Sequence, residues 1–388
     1  SIEQAKFLFV AEEREALGIL RSDSEYLQNP YLIYEDLRLT LTPVSLTTID
    51  LGLYLKNAPS EIFPDNLLYD DPFEIHRIRA ITTQQLEYAA LQGHTLLPRK
   101  EIIKQIRELS ITPACPINSD YYELAEDCFT GSIVLEEMKD GERAYQLQRY
   151  ADTREIINKK IIDRINGKRL TLVADWTTLI NIALDPFTEG KPDETELKAR
   201  NEKAAALKEI AESRFSVLIG PAGTGKTTLL TILAGQEEVE SKGVLLLAPT
   251  GKARVRMEEI AKNIDVTAKT IAQFLSGYNR YNGDIQQYVF SKQYCEGIYE
   301  TVILDEASML TEEMLATTLD CLKGVKRFIL VGDHRQLPPI GAGRPFVDII
   351  HHLRPEGIEN AFPRVGKGYA ELTIKRRQGG SKREDLQL

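Results

Sequence analysis

The sequence predicts an α/β protein, with a parallel sheet covered by helices on both faces and a mainly helical α+β region before it. The second half of the chain holds four short, nearly uninterrupted apolar runs, at 215–219, 244–248, 301–304 and 328–331. Helical patterns separate these runs, and that alternation is typical of parallel strands buried on both faces. Each run ends in a polar or glycine-rich segment, so we expect those segments to meet at one edge of the sheet, where ligands bind.

The first half of the chain has a different pattern. We expect helices over 71–91, 98–109 and 153–165, and a β-hairpin over 133–147. The hairpin turns at Asp140-Gly141, a dipeptide that favours tight turns. Helices followed by a hairpin favour a winged-helix module, and a generic α+β domain is the alternative.

A domain boundary is expected at 185–193, because this stretch is rich in proline, glycine and polar residues that interrupt helices and strands. The predicted domains are a helical region over 1–70, a winged-helix-like domain over 71–185 and the α/β domain over 194–388. An alanine-rich helix is expected near the start of the last domain, over 196–212.

Composition narrows the class of protein. Of the 388 residues, 43% are hydrophobic and 27% charged, and no window has the roughly 18 uninterrupted apolar residues of a membrane span. Four cysteines are dispersed without a Cys-x-x-Cys pair, which argues against a zinc site or a disulfide framework and favours a reducing, cytoplasmic location. The net charge of −10 neither indicates nor excludes nucleic-acid binding, which needs only a local basic surface.

The first apolar run of the α/β domain is followed by a glycine-rich turn and a helix, the pattern of a phosphate-binding P-loop. This segment comprises Gly220, Pro221, Ala222, Gly223, Thr224, Gly225, Lys226, Thr227 and Thr228. Glycines allow backbone N–H groups to surround phosphate oxygens, and the helix N-terminus favours negative charge. We therefore expect Lys226 to contact the β- and γ-phosphates of a nucleoside triphosphate and the Thr227 hydroxyl to ligate Mg²⁺.

The third apolar run ends in two adjacent carboxylates, Asp305 and Glu306. Asp305 can hold Mg²⁺, directly or through water, and Glu306 can position and deprotonate the water that attacks the γ-phosphate. A solvated pair of strand-end carboxylates is the structural alternative. The P-loop in the same predicted sheet favours the catalytic interpretation.

Two further polar segments follow apolar runs. After the fourth run, Gln336 carries an amide that both donates and accepts, which suits contact with a γ-phosphate or with attacking water. After the second run, Pro249, Thr250, Gly251 and Lys252 form a turn into a helix that suits a backbone phosphate of a polynucleotide. An ordinary helix cap with a solvated lysine is the alternative for that turn.

In their order and spacing, these segments resemble the motifs of superfamily-1 helicases, and they are most similar to those of RecD-like helicases. The resemblance rests on Ala-Pro-Thr-Gly-Lys-Ala-Arg at 248–254, Leu-Asp-Glu-Ala-Ser-Met-Leu at 304–310 and Val-Gly-Asp-His-Arg-Gln-Leu-Pro-Pro-Ile-Gly-Ala-Gly at 331–343. In the same pattern, Thr270 falls in a further DNA-contacting motif and Arg377 in the motif whose arginine approaches the γ-phosphate. The similarity is strong over 215–345 and looser over the rest of the chain.

The resemblance implies a RecA-like motor lobe that uses ATP and Mg²⁺ to drive 5′-to-3′ translocation on single-stranded DNA and duplex separation. The implied partners are single-stranded DNA and duplex junctions, with a nuclease or a single-strand-binding protein as a further partner and no membrane. Such motors hydrolyse ATP between two lobes, whereas the motifs of a second lobe are absent from this sequence. We therefore expect the 388 residues to bind Mg·ATP or ADP weakly without unwinding DNA.

Two departures from the family pattern qualify this interpretation. Family members often carry an adenine-recognising glutamine before the P-loop, but the matching region here is Asn201-Glu202-Lys203-Ala204, so preference for ATP over other triphosphates is open. The segment 29–55 lacks a glycine-rich helix-hairpin-helix pattern, which argues against DNA binding there.

Several alternatives stay open at this point. The chain could instead belong to an RNA helicase or to the helicase half of a conjugative nicking protein. Its N-terminal half could be a protein-interaction platform. Around 276–284, the tyrosines could stack on bases or form cross-strand pairs in a hairpin.

Overall fold

The computed structural model describes residues 10–16, 18–54, 69–185, 192–261, 264 and 266–375. The chain divides into two compact units between Asp152 and Thr153, with 284–286 and 341–343 grouped with the first unit. Within the described residues, no helix combines the length and the apolar character that a bilayer crossing requires.

The first unit consists of short helices followed by a small antiparallel sheet. Its helices are α1 (Ala11–Ala16), α2 (Asp23–Gln28), α3 (Leu32–Leu37), α4 (Leu46–Leu53), α5 (Ile75–Leu91), α6 (Arg99–Glu108) and α7 (Ser119–Ala125), and its strands are β1 (Leu97–Pro98), β2 (Ile133–Glu137) and β3 (Arg143–Leu147). The strand order is β1-β3-β2. The predicted helices and hairpin of this region are therefore present, and the winged-helix assignment stays a prediction.

Two buried ion pairs fix α3 and α4 against α5. Arg77 donates to both carboxylate oxygens of Asp50 at 2.8–3.2 Å, and the Tyr31 hydroxyl donates to the same carboxylate at 2.8 Å. Arg79 likewise donates to Glu35 at 2.7 and 2.8 Å. Loss of one partner would leave a buried charge uncompensated, which is strongly destabilising. The charged residues of this helical segment therefore stabilise the interior of the first unit.

The second unit is built on a seven-stranded sheet in the order β13-β14-β4-β12-β10-β5-β6. These strands are β4 (Phe215–Ile219), β5 (Val244–Ala248), β6 (Thr267–Thr270), β10 (Thr301–Leu304), β12 (Arg327–Gly332), β13 (Arg364–Gly366) and β14 (Tyr369–Glu371), and only the β13–β14 pairing among them is antiparallel. Small pairs elsewhere involve β7 (Tyr281–Asn282), β8 (Gln287–Tyr288), β9 (Cys295–Glu296) and β11 (Leu322–Lys323). The predicted parallel α/β sheet is confirmed, including all four predicted strands.

Helices cover both faces of this sheet. They are α8 (Gln148–Ile165), which spans the division between the units, α9 (Trp176–Leu184), α10 (Glu194–Glu212), α11 (Lys226–Ala234), α12 (Glu237–Glu240), α13 (Gly251–Ala261), α14 (Ile271–Ser276), α15 (Glu312–Cys321) and α16 (Pro345–Leu353). Alternate strand residues enter different cores: Val217 belongs to one and Leu218 to the other. The strands are apolar throughout because both of their faces are buried.

The division between the units differs in position from the predicted boundary at 185–193. Helix α9, which the sequence places before that boundary, lies in the second unit, where Trp176, Ile180 and Leu184 are buried in the same core as Leu207 of α10. An amphipathic helix must cover its apolar face, so α9 packs with the sheet domain despite the polar stretch that comes after it. Residues 186–191 of that stretch lie outside the described part of the chain.

Because of Glu312, at the start of α15, we expect the stability of the second unit to depend on pH. Burial, together with repulsion from Asp348 and Glu313, raises the pKa of Glu312 to about 7, and Arg154 only partly offsets this. Its Oε2 atom is buried without a hydrogen-bond partner among the described residues. The folded state therefore binds more protons than the unfolded state between about pH 4.5 and 7, so this carboxyl lowers stability as the pH rises through that window.

Replacement of Glu312 by glutamine should remove this penalty. We expect E312Q to raise the free energy of unfolding by about 1–2 kcal/mol at pH 8 and to leave it nearly unchanged at pH 4. Urea denaturation at the two pH values measures the difference. The control is E356Q, an exposed glutamate of the same unit, which should change stability by less than about 0.5 kcal/mol at either pH. An equal gain for E312Q at both pH values would contradict the argument.

Candidate functional site

The carboxyl ends of the central strands meet at one edge of the sheet, as the sequence predicts. The P-loop residues leave β4, Asp305 and Glu306 leave β10, and Asp333 leaves β12, which lies between β4 and β10. The Gly220 N–H donates to the carbonyl of Gly332 at 3.3 Å, so the start of the P-loop is fixed to the end of β12.

The P-loop has the backbone that its glycines permit. Gly223 and Gly225 have φ values of 81° and 91°, a left-handed conformation that side chains disfavour. Gly225 directly precedes α11, which begins at Lys226. The Lys226 ammonium lies over the loop and donates to the carbonyls of Gly220 at 2.5 Å and Pro221 at 3.2 Å. The turn therefore carries both the positive group and the N-terminus of α11.

Three carboxylates act electrostatically on this lysine. Burial lowers the pKa of Lys226, and the negative charges of Asp305, Asp333 and Glu306 oppose that effect without cancelling it. The two carboxylates that the sequence selects therefore lie close enough to the P-loop lysine to influence its proton. Asp333 was not among the predicted site residues, although its position directly after an apolar strand and Gly332 was a usable signal.

Hydrogen bonds from their backbone N–H groups hold Asp305 and Glu306 in place. The Asp305 N–H donates to the carbonyl of Leu247 at 2.9 Å, and the Glu306 N–H donates to Asp305 Oδ1 at 2.8 Å. Glu306 has a φ of 53°, a left-handed conformation that is uncommon for a residue with a side chain. This sharp turn ends the strand at the pair and leaves both side chains half-buried at the edge of the sheet.

Gln336 lies on the loop after β12. Its N–H donates to the carbonyl of Asp333 at 3.0 Å, and its side chain is exposed. The turn is closed by the Asp333 carboxylate, which accepts a hydrogen bond from the N–H of Arg335 at 3.0 Å. Gln336 therefore lies on a short exposed loop beside the site, and its contact with a nucleotide stays a prediction.

The predicted DNA-contacting residues end two neighbouring strands. The segment 249–252 comes directly after β5 and Thr270 ends β6, and Ala248 pairs with Thr270 across the two strands. The Thr250 and Thr270 hydroxyls accept backbone hydrogen bonds at the starts of α13 and α14, at 3.3 and 3.1 Å, while Lys252 is exposed. Thr250 thus serves as a helix cap, as in the alternative given for 249–252, and Thr270 caps the next helix. The N-termini of α13 and α14 follow paired strand ends.

Two other predicted features have different outcomes. Tyr281 and Tyr288 face each other across β7 and β8 with ring centroids 4.9 Å apart, so the hairpin interpretation of this region is confirmed. Arg377 lies outside the described residues, and its role stays a prediction.

Gly220 gives a stability prediction for this site. A Cβ atom at this position would lie 2.6 Å from the Leu372 carbonyl oxygen, and the backbone has a φ of 158°. We expect G220A to lower the free energy of unfolding by about 2–3 kcal/mol, measured by urea denaturation. G251A is the matched control, since its Cβ meets no atom within 4 Å and it should change stability by less than about 0.5 kcal/mol. Equal stability of G220A and the parent would contradict this packing.

Comparison with known proteins finds a matching family and several similar proteins. Residues 198–361 match the profile of a family described as an AAA domain. An uncharacterized protein of Methanocaldococcus jannaschii is 26% identical over 355 residues, which are 84% of this chain and 29% of that protein. The ATP-dependent RecD2 DNA helicase of Deinococcus radiodurans is 29% identical over 286 residues, 72% of this chain and 36% of that enzyme.

The chain is similar to RecD-like DNA helicases over part of its length. It spans about a third of the length of the curated relatives it matches. An unliganded Pif1 structure from Bacteroides sp. is 24% identical, with a TM-score of 0.27, and the match covers 49% of this chain and 43% of that one. The segment that matches the AAA-domain family, 198–361, includes the P-loop, Asp305, Glu306 and Gln336.

Proposed function

We propose that this protein works as an ATP-dependent DNA helicase that couples ATP hydrolysis to 5′-to-3′ translocation on single-stranded DNA and to duplex unwinding. The observation that carries the proposal is that the P-loop, Asp305–Glu306 and Asp333 follow the neighbouring strands β4, β10 and β12, where the three carboxylates act electrostatically on Lys226. A positive group for phosphates and a carboxylate for water activation are the two requirements of phosphoanhydride hydrolysis that a single lobe can supply.

Each side chain then has a defined task. The Lys226 ammonium would exchange its two carbonyl partners for phosphate oxygens, which are stronger acceptors because they are charged. Glu306 would orient a water molecule and accept its proton as the oxygen attacks phosphorus. Gln336 would contact that water or the γ-phosphate through its amide, and Arg377 would stabilise the negative charge that develops on the transferred group.

The residues at the site also fit Mg²⁺. Magnesium prefers oxygen ligands and is usually held by one or two protein groups together with substrate phosphates. The exposed Thr227 hydroxyl on the first turn of α11 and the Asp305 carboxylate provide such oxygens on the proposed phosphate side of the sheet. When bound with ATP, the ion would neutralise charge on the phosphates. The absence of the expected glutamine at 201–204 leaves the preference for ATP itself to experiment.

The proposed DNA path runs along the same edge of the sheet. The paired ends of β5 and β6 bring Pro249, Thr250, Gly251, Lys252 and Thr270 together. Backbone N–H groups at two adjacent helix starts and an exposed lysine suit the phosphates of a single strand, without specifying its bases. A nuclease or a single-strand-binding protein is proposed as a further partner, and the cytoplasm as the working compartment.

The test is nucleotide hydrolysis measured with single-stranded DNA, with RNA and without nucleic acid. We expect DNA to stimulate hydrolysis more than RNA does. Unwinding of substrates with a 5′ or a 3′ overhang, in a form of the protein that hydrolyses ATP, then tests the 5′-to-3′ polarity. Stimulation by RNA alone would favour the RNA-helicase alternative. Robust unwinding by residues 1–388 would overturn the expectation that these residues only bind nucleotide.

A further inference from the structure

We propose that the second unit carries a second phosphate site, at the opposite end of strand β4 from the P-loop, and that this site binds the backbone of duplex DNA. Its charged lining residues are Arg164, Arg169, Arg214 and Lys367. The inference rests on the proposed function, which makes DNA the partner, and it assigns a DNA contact to residues outside the segments that resemble helicase motifs.

Three separate segments of the chain form this site. Arg164 lies in the last turn of α8, Arg214 directly precedes β4, and Lys367 lies between β13 and β14. Because β4 and β14 are parallel, the last two residues mark the amino ends of neighbouring strands. The P-loop instead follows the carboxyl end of β4, whose five residues span about 17 Å. The two sites are therefore separate.

The charge of this cavity has one sign. Every ionisable residue that lines it is a cation, although the chain as a whole has a net charge of −10. Glu209 does not line the cavity, and its carboxylate accepts from Arg169 at 2.8 and 2.9 Å and from the Ser213 hydroxyl at 2.7 Å. That carboxylate thus compensates Arg169 and leaves the other cations. A local group of like charges raises the concentration of ligands of opposite sign, so the cavity should attract an anion.

Arg164 and Arg214 have only carbonyl partners. Arg164 Nη1 donates to the Lys160 carbonyl at 3.0 Å, and Arg214 Nε donates to the Lys168 carbonyl at 2.6 Å. Among the described residues, neither arginine forms an ion pair with a carboxylate. The Arg164 Nε atom is buried and has no acceptor within that part of the chain. A buried donor without an acceptor is destabilising, and a bound anion would satisfy it.

The charge of Arg164 also opposes folding. Burial lowers the pKa of its guanidinium, the positive charge of Arg214 lowers it further, and Asp163 does not cancel these effects. An arginine nevertheless stays charged at neutral pH, so two charged guanidiniums line one cavity. A phosphate between them would accept hydrogen bonds from both and remove their repulsion. The arrangement is therefore unfavourable in the free protein and favourable in a complex with an anion.

Duplex DNA is the anion that this cluster suits best. Guanidiniums donate in a planar fork that matches the oxygens of a phosphate group. Duplex DNA carries one negative charge per about 1.7 Å of its axis, twice the density of either strand, so a group of cations gains most from a duplex. Contacts to the backbone would hold the duplex without reading its bases.

The experiment measures the affinity of residues 1–388 for a duplex of about 20 base pairs by fluorescence anisotropy over a range of KCl concentrations. For R164Q/R214Q we expect about tenfold weaker binding at low salt. The slope of log affinity against log salt should fall by about 2, because two phosphate contacts are lost. The control K208Q/K292Q removes the same charge from two exposed lysines that do not line the cavity, and should leave the slope unchanged.

Two further measurements separate binding from stability. The urea midpoint of R164Q should lie at or above that of the parent, because the variant removes a desolvated charge, while its duplex affinity falls. A purely structural role would lower stability and affinity together. Lys367 is exposed, so K367Q should fold normally and weaken duplex binding about threefold. The affinity of R164Q/R214Q for ATPγS should be unchanged, since the P-loop lies at the other end of β4.

Several results would overturn the inference. They are no duplex binding by the parent at low salt, an equal loss in R164Q/R214Q and K208Q/K292Q, and an equal loss for polyglutamate and DNA, which would indicate attraction of any polyanion. Binding of inorganic pyrophosphate that depends on the two arginines, with duplex affinity unchanged, would likewise exclude the duplex. Failure of the proposed function has a different signature, because the parent would then not bind ATPγS, whereas its duplex affinity would still depend on Arg164 and Arg214.

Discussion

Replacement of Lys226 by alanine is expected to weaken the binding of a nucleoside triphosphate by at least about 100-fold. The ammonium lies over the P-loop on two backbone carbonyls, next to the carboxylates of Asp305, Glu306 and Asp333. A bound triphosphate would gain hydrogen bonds from this cation, each worth about 1.5–3 kcal/mol, and would lose them in the variant. In K226A the three carboxylates would also repel the phosphates without compensation. Titration calorimetry with ATPγS measures the loss.

The K226A variant should fold. Burial lowers the pKa of Lys226, so the charged lysine carries a desolvation cost that alanine removes. Because the folded state releases this proton more easily than the unfolded state, the cost diminishes as the pH rises through the lowered pKa. K252A is the matched control, since that lysine is exposed at a neighbouring strand end and should leave nucleotide affinity unchanged. Unchanged ATPγS affinity in K226A would refute the assignment of the P-loop.

Replacement of Glu306 by glutamine should have the second large effect, on hydrolysis and not on binding. The amide has nearly the same shape but cannot accept the proton of the attacking water, and loss of a general base lowers the rate by about 10²- to 10⁴-fold. Steady-state ATPase assays in a form of the protein that hydrolyses ATP measure the turnover number. The dissociation constant for ATPγS should stay within about threefold of the parent value, because the amide retains the size of the carboxyl.

Replacement of Asp305 by asparagine tests whether the two adjacent carboxylates have different roles. D305N should weaken Mg·ATP binding, because a carboxylate proposed to hold the ion becomes a neutral amide. E306Q and D305N thus change a single atom at adjacent positions and should affect different steps. Hydrolysis at the parent rate in E306Q would show that another group accepts the proton, and Asp333, the third carboxylate near Lys226, would be the first alternative to test.

The parts of this site that the sequence predicts are those encoded by local patterns. Apolar strands that end in Gly220, Asp305 or Asp333 are recognisable because strand and polar residue are adjacent in the chain. Strand β14 was missed because its three residues, Tyr369–Glu371, are too few to give a pattern. The hydrogen bond from the Thr373 N–H to the Glu202 carboxylate was missed because the two residues are 171 positions apart. No spacing rule connects such residues before the sheet has brought them together.

The division between the units falls elsewhere than the predicted boundary for a related reason. The polar stretch at 185–193 marks a connection, but a connection between two helices of one domain has the same composition as a linker. Only the packing of Trp176 and Ile180 into the core that contains Leu207 shows that α9 belongs with the sheet. Composition therefore predicts where the chain leaves regular structure, and packing decides which elements form one body.

The resting position of Lys226 has a consequence for the entropy of binding. A lysine side chain that is free in solvent loses up to about 2 kcal/mol of rotamer freedom when it is fixed. Here the ammonium is already fixed by the carbonyls of Gly220 and Pro221, so most of that loss accompanies folding. Arrival of a triphosphate exchanges one set of acceptors for another without ordering the side chain anew. The loop is thus preorganised for its ligand, which favours affinity in a site that is open to water.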